Sequence, residues 1–277
     1  MSVRSRIDIL ILRATSPGTI RFGVKMQYAE AEVRYSVASR LKDALREMRS
    51  VAAAGDARAK IEGMKRFGIQ PERALGLTTP QLRRIARGLR TDQPLAEALW
   101  KTGIHDARIL ASLVGDPDAI TCATMDRWVR DFVSWDVCDA CCCNLFDKSR
   151  YAWSQIGKWA RRRDEFVRRA AFATIAALAV HDKRADDRVF LDALPLIEAY
   201  AFDDRNFVKK AVNWALRNIG KRNAALCVEA IACAERMRAQ GTPSARWIAA
   251  DALRELKARC GSIGPTRAKP ISLPVPS

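Results

Sequence analysis

Histidine is nearly absent. The 277 residues include only His105 and His181, too few for a multi-histidine metal centre or a site built from several imidazoles. Cysteine is sparse for this length. Eight residues do not make a disulfide scaffold, and Cys141, Cys142 and Cys143 are consecutive, which suits reduced thiols in a cytosol. No apolar run approaches the ~20 residues of a membrane-spanning helix. Ile7-Asp8-Ile9-Leu10-Ile11-Leu12 is short and broken by Asp8, so it makes a poor signal peptide. Sustained strand alternation bounded by turn residues is missing as well. Acids are outnumbered: 48 Lys and Arg against 31 Asp and Glu leave +17 with histidine neutral. That imbalance argues against an ordinary neutral metabolic enzyme. It puts a polyanion first among partners, with a merely solubilising surface as the alternative.

What remains reads as helix almost throughout. Val37 to Ala54 is one helical stretch closed by Gly55. Thr79 before Pro80 resembles a cap followed by proline at the first helical position, opening Gln81 to Leu89. Asp116-Pro117 and Asp203-Asp204 suggest further starts. The expected class is all-α. Residues 1–28 carry five basic side chains and only Asp8 as an acid. They read as a poorly ordered extension, an organelle presequence, or a segment upstream of a natural start at Met26. Residues 259–277, rich in proline and free of acids, are expected to be a disordered basic tail. The folded domain is then 29–258.

A repeat organises the chain. Phe166-Val167-Arg168-Arg169-Ala170-Ala171 recurs as Phe207-Val208-Lys209-Lys210-Ala211-Val212, an offset of 41 residues. A weaker third copy follows at Ile248-Ala249-Ala250-Asp251-Ala252-Leu253. A helical period of ~40–47 residues belongs to HEAT and armadillo arrays, in which neighbouring helix pairs stack into a curved solenoid. Phe166 to Val180 is apolar nearly all round, as an inner-layer helix should be. Arg168-Arg169 and Lys209-Lys210 sit near helix starts, where cations oppose the helix dipole. Helix stability does not explain them, and the register predicts both pairs along one edge, spaced to follow a nucleic-acid strand. A solvated basic rim is the plainer alternative.

Trp135 and Asp139, four apart, share a helix face. A half-buried carboxylate beside an indole needs a partner. Asp136 points elsewhere and reads as a helix-opening acid. Trp214 and Arg217 are three apart, beside Asn213, which interrupts an apolar stretch. Cys138 and Cys141 form a C-x-x-C without a second ligand pair, so small packing residues are the default over a metal site. His105-Asp106 reads as a helix opening, and His181 as a charge complement at a helix C-terminus.

These residues carry a resemblance. Trp100, His105-Asp106-Ala107-Arg108-Ile109-Leu110-Ala111, Trp135-Asp136-Val137-Cys138-Asp139, the Phe166 motif and Asn206 to Arg217 occur in order. Over about Ala53 to Leu256 the chain resembles the AlkD-like family of DNA alkylation repair glycosylases. The resemblance implies a right-handed α-solenoid of HEAT-like repeats with a basic concave cleft. It implies excision of cationic N3- or N7-alkylated purines from duplex DNA, in the manner of 3-methyladenine and 7-methylguanine glycosylases of base excision repair, without insertion of the base into a deep pocket. Trp135 and Trp214 match aromatic residues that face the damaged nucleotide, and Asp139 matches the catalytic carboxylate. Arg169 matches a residue that holds the backbone at the lesion, and Arg217 a second cleft residue. Arg168, Lys209 and Lys210 join them as expected DNA contacts. Family members often carry an aromatic residue near Gly63-Met64-Lys65-Arg66-Phe67-Gly68-Ile69; here Met64 is not aromatic, Phe67 is open to a core role, and that position stays unassigned.

The chemistry suits the composition. An alkylated purine cation is already an activated leaving group and needs no strong general acid. Two indoles can hold a cation by ~0.5–2 kcal/mol each. Asp139, as an anion, can stabilise the charge growing on the sugar and orient a water. The expectation is a cytoplasmic, monomeric hydrolase with duplex DNA as partner and neither a metal nor an organic cofactor. Two other readings remain: a non-catalytic repeat protein that binds damaged or branched DNA, and a protein-interaction scaffold.

Overall fold

A computed structural model describes residues 19–69 and 73–262. Thirteen α-helices run in series among the described residues, which contain no strand. The first half holds α1 (Thr19–Ala53), α2 (Ala57–Arg66), α3 (Thr79–Leu89), α4 (Gln93–Lys101), α5 (His105–Val114) and α6 (Cys122–Arg130). The second half holds α7 (Trp135–Asn144), α8 (Ala152–Ala160), α9 (Glu165–His181), α10 (Asp187–Ala199), α11 (Asn206–Gly220), α12 (Ala224–Ala239) and α13 (Pro243–Ser262). The chain is an all-α solenoid, as the 41-residue period predicts.

Local signals explain most boundaries and correct several. Thr78, not Thr79, caps α3, and Gln81 closes a capping box with it. Asp116 does not open a helix; Asp118 donates its backbone N–H to the Asp116 carboxylate in a turn, and α6 starts only at Cys122, capped by Thr121. The helix expected from Val37 begins at Thr19, inside the segment expected to be an extension. Residues 1–18 lie outside the described residues, as do 263–277 of the expected tail, and α13 runs through its first four positions, 259–262.

The core is centred on α9. Every residue from Arg169 to Ala179 is buried, and α9 packs on α7, α8 and α11. Its alanines keep it thin, so three helices approach closely. Repeat neighbours are tied by hydrogen bonds across the 41-residue period. Ser244 Oγ donates to the Asp203 carbonyl (2.8 Å), Asn218 Nδ2 to the Ala176 carbonyl (3.1 Å), and Arg222 Nη1 to the Ala179 carbonyl (3.0 Å). Phe166 and its repeat equivalent Phe207 lie 5.4 Å apart, ring centre to ring centre.

Arg168 does not lie on a free basic edge. Its Nη1 donates to Asp203 Oδ2 at 2.6 Å, its Nε donates to the Ala160 carbonyl, and its guanidinium covers the Tyr200 ring at 4.9 Å. Arg205 shares Asp203 at 2.6 Å. The cation that opposes the α9 dipole is therefore neutralised by the following repeat. Cys227 and Cys260 are joined as a disulfide between α12 and α13, so the reduced-thiol expectation drawn from the consecutive cysteines does not extend to this pair. The other six are unpaired. His181 meets the buried carboxylate of Asp147 at the end of α9, more than the simple dipole complement expected.

Burial pushes the Asp203 carboxyl up, but Arg205 and Arg168 outweigh it and hold it below its ordinary 3.8. A lowered carboxylate pKa contributes stability that is complete above the unfolded value and lost as pH falls through the folded one. Asp203→Ala should cost up to about 3 kcal/mol at neutral pH, the low end for breaking a buried pair because Arg205 is partly exposed. Urea midpoints measured from pH 7 down to below 3.8 should converge for the two proteins as the wild-type carboxyl protonates.

Candidate nucleic-acid interface

Helix α7 opens under Ser134, and its first turn sets the site. Trp135 and Asp139 lie on its exposed side, while Val137, Cys138, Cys141 and Cys142 turn inward. Asp136 sits with Oδ2 2.9 Å from His105 Nε2, off the line of a hydrogen bond. Burial pushes the Asp136 carboxyl up, but His105, Ser134 and the Val137 backbone N–H together outweigh it and hold the carboxyl below 3.8. Asp106 accepts the backbone N–H groups of Leu75 and Leu77 at 2.6 and 2.7 Å, which fixes the segment before α3. The His105-Asp106 pair thus positions helices, as its reading as a helix opening anticipates.

Asp139 is paired with Arg169. Nε and Nη2 of Arg169 donate to its two carboxylate oxygens at 2.9 and 2.7 Å, and Nη1 donates to the Phe207 carbonyl at 2.6 Å. This two-point fork is the strong geometry for guanidinium and carboxylate. The partners respond differently to burial. Arg169 is pushed above its ordinary value by Asp139 despite its burial. Asp139 is pushed above 3.8, because burial outweighs the pull of Arg169 and nearby Asp136 adds to it. The pair is attractive, and the carboxylate still carries an uncompensated desolvation cost.

Two adjoining cavities border this pair, and a third meets the first at Trp214. The first, ≈ 390 Å³, is lined by Asp139, Arg169, Lys210, Trp214, Arg217 and Trp247. The second, ≈ 460 Å³, shares Arg169 and Lys210 and adds Trp135, Phe67 and Phe207. The third, ≈ 780 Å³, shares Trp214 and reaches Arg83, Arg87 and Arg90 on α3. The expected site residues Trp135, Asp139, Arg169, Lys210, Trp214 and Arg217 therefore surround one surface.

The family model for DNA alkylation repair enzymes matches residues 45–256. The chain belongs to the DNA alkylation repair enzyme family. Among solved structures, it is similar to one described as a new family of proteins related to the HEAT-like repeat DNA glycosylases with affinity for branched DNA structures. That likeness has 24% identity and a TM-score of 0.59, and covers 68% of this chain and 80% of the other. It shows the fold. No protein of curated function matches.

Within this member of the DNA alkylation repair enzyme family, the expected DNA contacts divide. Lys210 is exposed in the cleft. Lys209 lies over the Trp247 ring at 5.3 Å. Arg217 donates to Glu255 at 2.6 Å and lies 3.7 Å from Asp251, which also accepts from Asn213. Arg168 is held by Asp203 and Arg169 by Asp139, so neither presents an open guanidinium. Burial pushes the Glu255 carboxyl up, but Lys221 and Arg217 outweigh it and hold it below 4.5.

Two aromatic residues were missed by sequence. Phe67 is 67% exposed, not core. Its carbonyl accepts the Trp135 indole N–H at 3.0 Å, and the next residue, Gly68, has φ +73 with a Cβ position only 3.0 Å from the Phe207 ring. Only glycine suits that turn. Trp247 stands 41 residues after Asn206, so the repeat register held a signal for it.

Removing one partner of the buried pair leaves the other charge uncompensated. Arg169→Met and Asp139→Leu should each destabilise by about 3 kcal/mol or more. The double variant should recover about 1–3 kcal/mol relative to the sum. Urea unfolding of all four proteins measures that coupling; additive losses would refute it.

Proposed function

We propose that this protein is a DNA glycosylase for cationic N3- or N7-alkylated purines in duplex DNA. The observation that carries the reading is a carboxylate, Asp139, in a cavity shared with the Trp214 and Trp247 indoles and adjoining the one that Trp135 lines, in a chain of the DNA alkylation repair enzyme family. The leaving purine carries positive charge. As the bond from sugar C1′ to the purine nitrogen breaks, its electron pair returns to the ring and neutralises it. Positive charge passes to the sugar, where Asp139 stabilises it and orients a water toward C1′. The water supplies the new hydroxyl, and its proton leaves to Asp139 or solvent.

Each Asp139 oxygen uses one lone pair on Arg169 and retains another for the cleft. Arg169 thus serves as a positioning residue that fixes the carboxylate. Trp135 and Trp214 hold the cationic nucleotide against their faces. Lys210, exposed beside the pair, takes a backbone phosphate.

One observation favours a second reading, a non-catalytic binder of branched or damaged DNA. Arg169 engages both oxygens of Asp139, which weakens the carboxylate as an electrostatic partner. The two readings separate on released base.

Purified protein with methylated duplex DNA should release 7-methylguanine or 3-methyladenine. Asp139→Asn should lose at least about 10²-fold of that release while duplex binding persists. The catalysed rate should fall as pH drops through the Asp139 pKa, with its inflection above 3.8 because burial raises that group. Retained binding to duplex or branched DNA with no base released by wild type would establish the second reading instead.

A further inference from the structure

Helix α3 has the sequence TPQLRRIARGL, with three arginines off its buried side, a fourth, Arg90, at its C-cap, and no acid. Leu82 and Ile85 are buried and hold it against α5 and α1. Arg83, Arg84, Arg87 and Arg90 are exposed, and their side chains make no hydrogen bond or ion pair among the described residues. Like charges four apart on a helix repel, so this helix carries an unfavourable arrangement that its own packing does not explain. Arg83, Arg87 and Arg90 line the ≈ 780 Å³ cavity, and Arg84, pointing elsewhere, does not. Seven residues of helix set Arg83 and Arg90 about 10.5 Å apart along the axis.

A second observation concerns the backbone. Arg90 ends α3 at φ 59, the only non-glycine residue with positive φ among the described residues. Glycine is the residue favoured at such a helix end, and a long side chain there is strained. The strain sits on a cleft-facing cation. Across the cavity stands Trp214, which also borders the Asp139 cavity. The arginines and the carboxylate are thus on either side of one indole.

We infer that Arg83, Arg87 and Arg90 form a phosphate-binding row that grips a DNA backbone on the far side of Trp214 from Asp139. The inference rests on the reading that the cleft takes duplex DNA. Successive phosphates along one strand meet the successive cleft-facing turns of α3, and the row supplies the unpaired charge that Arg168, Arg169 and Arg217, held by carboxylates, do not. Arg90 is retained at a glycine position because its guanidinium is needed in the cleft.

The experiment measures affinity of the full chain for an unmodified DNA duplex as a function of salt. Arg83→Ala/Arg87→Ala/Arg90→Gly should lower the log–log salt slope by about three, and lower affinity roughly hundredfold at 0.1 M salt. Arg84→Ala removes the same charge from the same helix and should change the slope by much less than one. Arg90→Gly alone should melt no lower than wild type while reducing the slope by about one. If wild type binds the duplex and the triple variant keeps its slope, the row is refuted and the DNA reading stands. An Arg84→Ala loss equal to that of each cleft-facing arginine also refutes it. Absence of salt-dependent duplex affinity in wild type removes the DNA reading and the row with it.

Discussion

The Arg169 guanidinium joins three helices at one point. It leaves α9, forks onto Asp139 of α7, and uses its remaining nitrogen on the carbonyl of Phe207 in α11. Such a reach requires close helix axes, and the alanines around it on α9 provide them. Ala170, Ala171, Ala173, Ala176 and Ala177 are all buried, so neighbours meet the α9 backbone without large side chains between. A bulkier α9 would push α7 outward and take Asp139 beyond the fork. The position of the cleft carboxylate is therefore a consequence of core packing, and the pair in turn fixes where Trp135 stands on the same face of α7.

The same logic governs how the positive charge is spent. Repeats stack when each presents carboxylates to the cations of its neighbour: Asp203 to Arg168, Asp251 and Glu255 to Arg217, Asp139 to Arg169. These contacts close the solenoid and remove guanidinium groups from the polyanion-binding surface. A net charge of +17 is thus a poor map of where a polyanion would bind. The cations left for an anion are those with no acid in reach, and on the described cleft these include Lys210, Arg66 and the α3 residues Arg83, Arg87 and Arg90.

Much of the fold was legible because the 41-residue offset repeats residue types, and a repeated helix pair has one economical packing. Trp135 and Asp139 were legible by a local rule, since four residues on a helix make neighbours. What failed was tertiary. Nothing near Arg168 in sequence announces Asp203, which lies 35 residues on. Phe67 is apolar, and only the turn at Gly68 sends it into the cleft. Cys227 and Cys260, 33 apart, match no local spacing. Arg90 looks like an ordinary last-turn cation until its φ is known. Trp247 is different, because the period that found Lys209 and Lys210 also places it in register with Asn206.

The register also shows how one scaffold position acquires different tasks. Arg169, Lys210 and Asp251 occupy equivalent sites on α9, α11 and α13, and all three border the Asp139 cavity. Their charges run positive, positive, negative. The first is buried and holds the carboxylate, the second is exposed, and the third accepts from Asn213 and lies near Arg217. A strand tracking all three positions would meet repulsion at Asp251. A polyanion therefore has reason to leave this edge after Lys210 and cross toward Trp214, beyond which the uncompensated arginines of α3 begin.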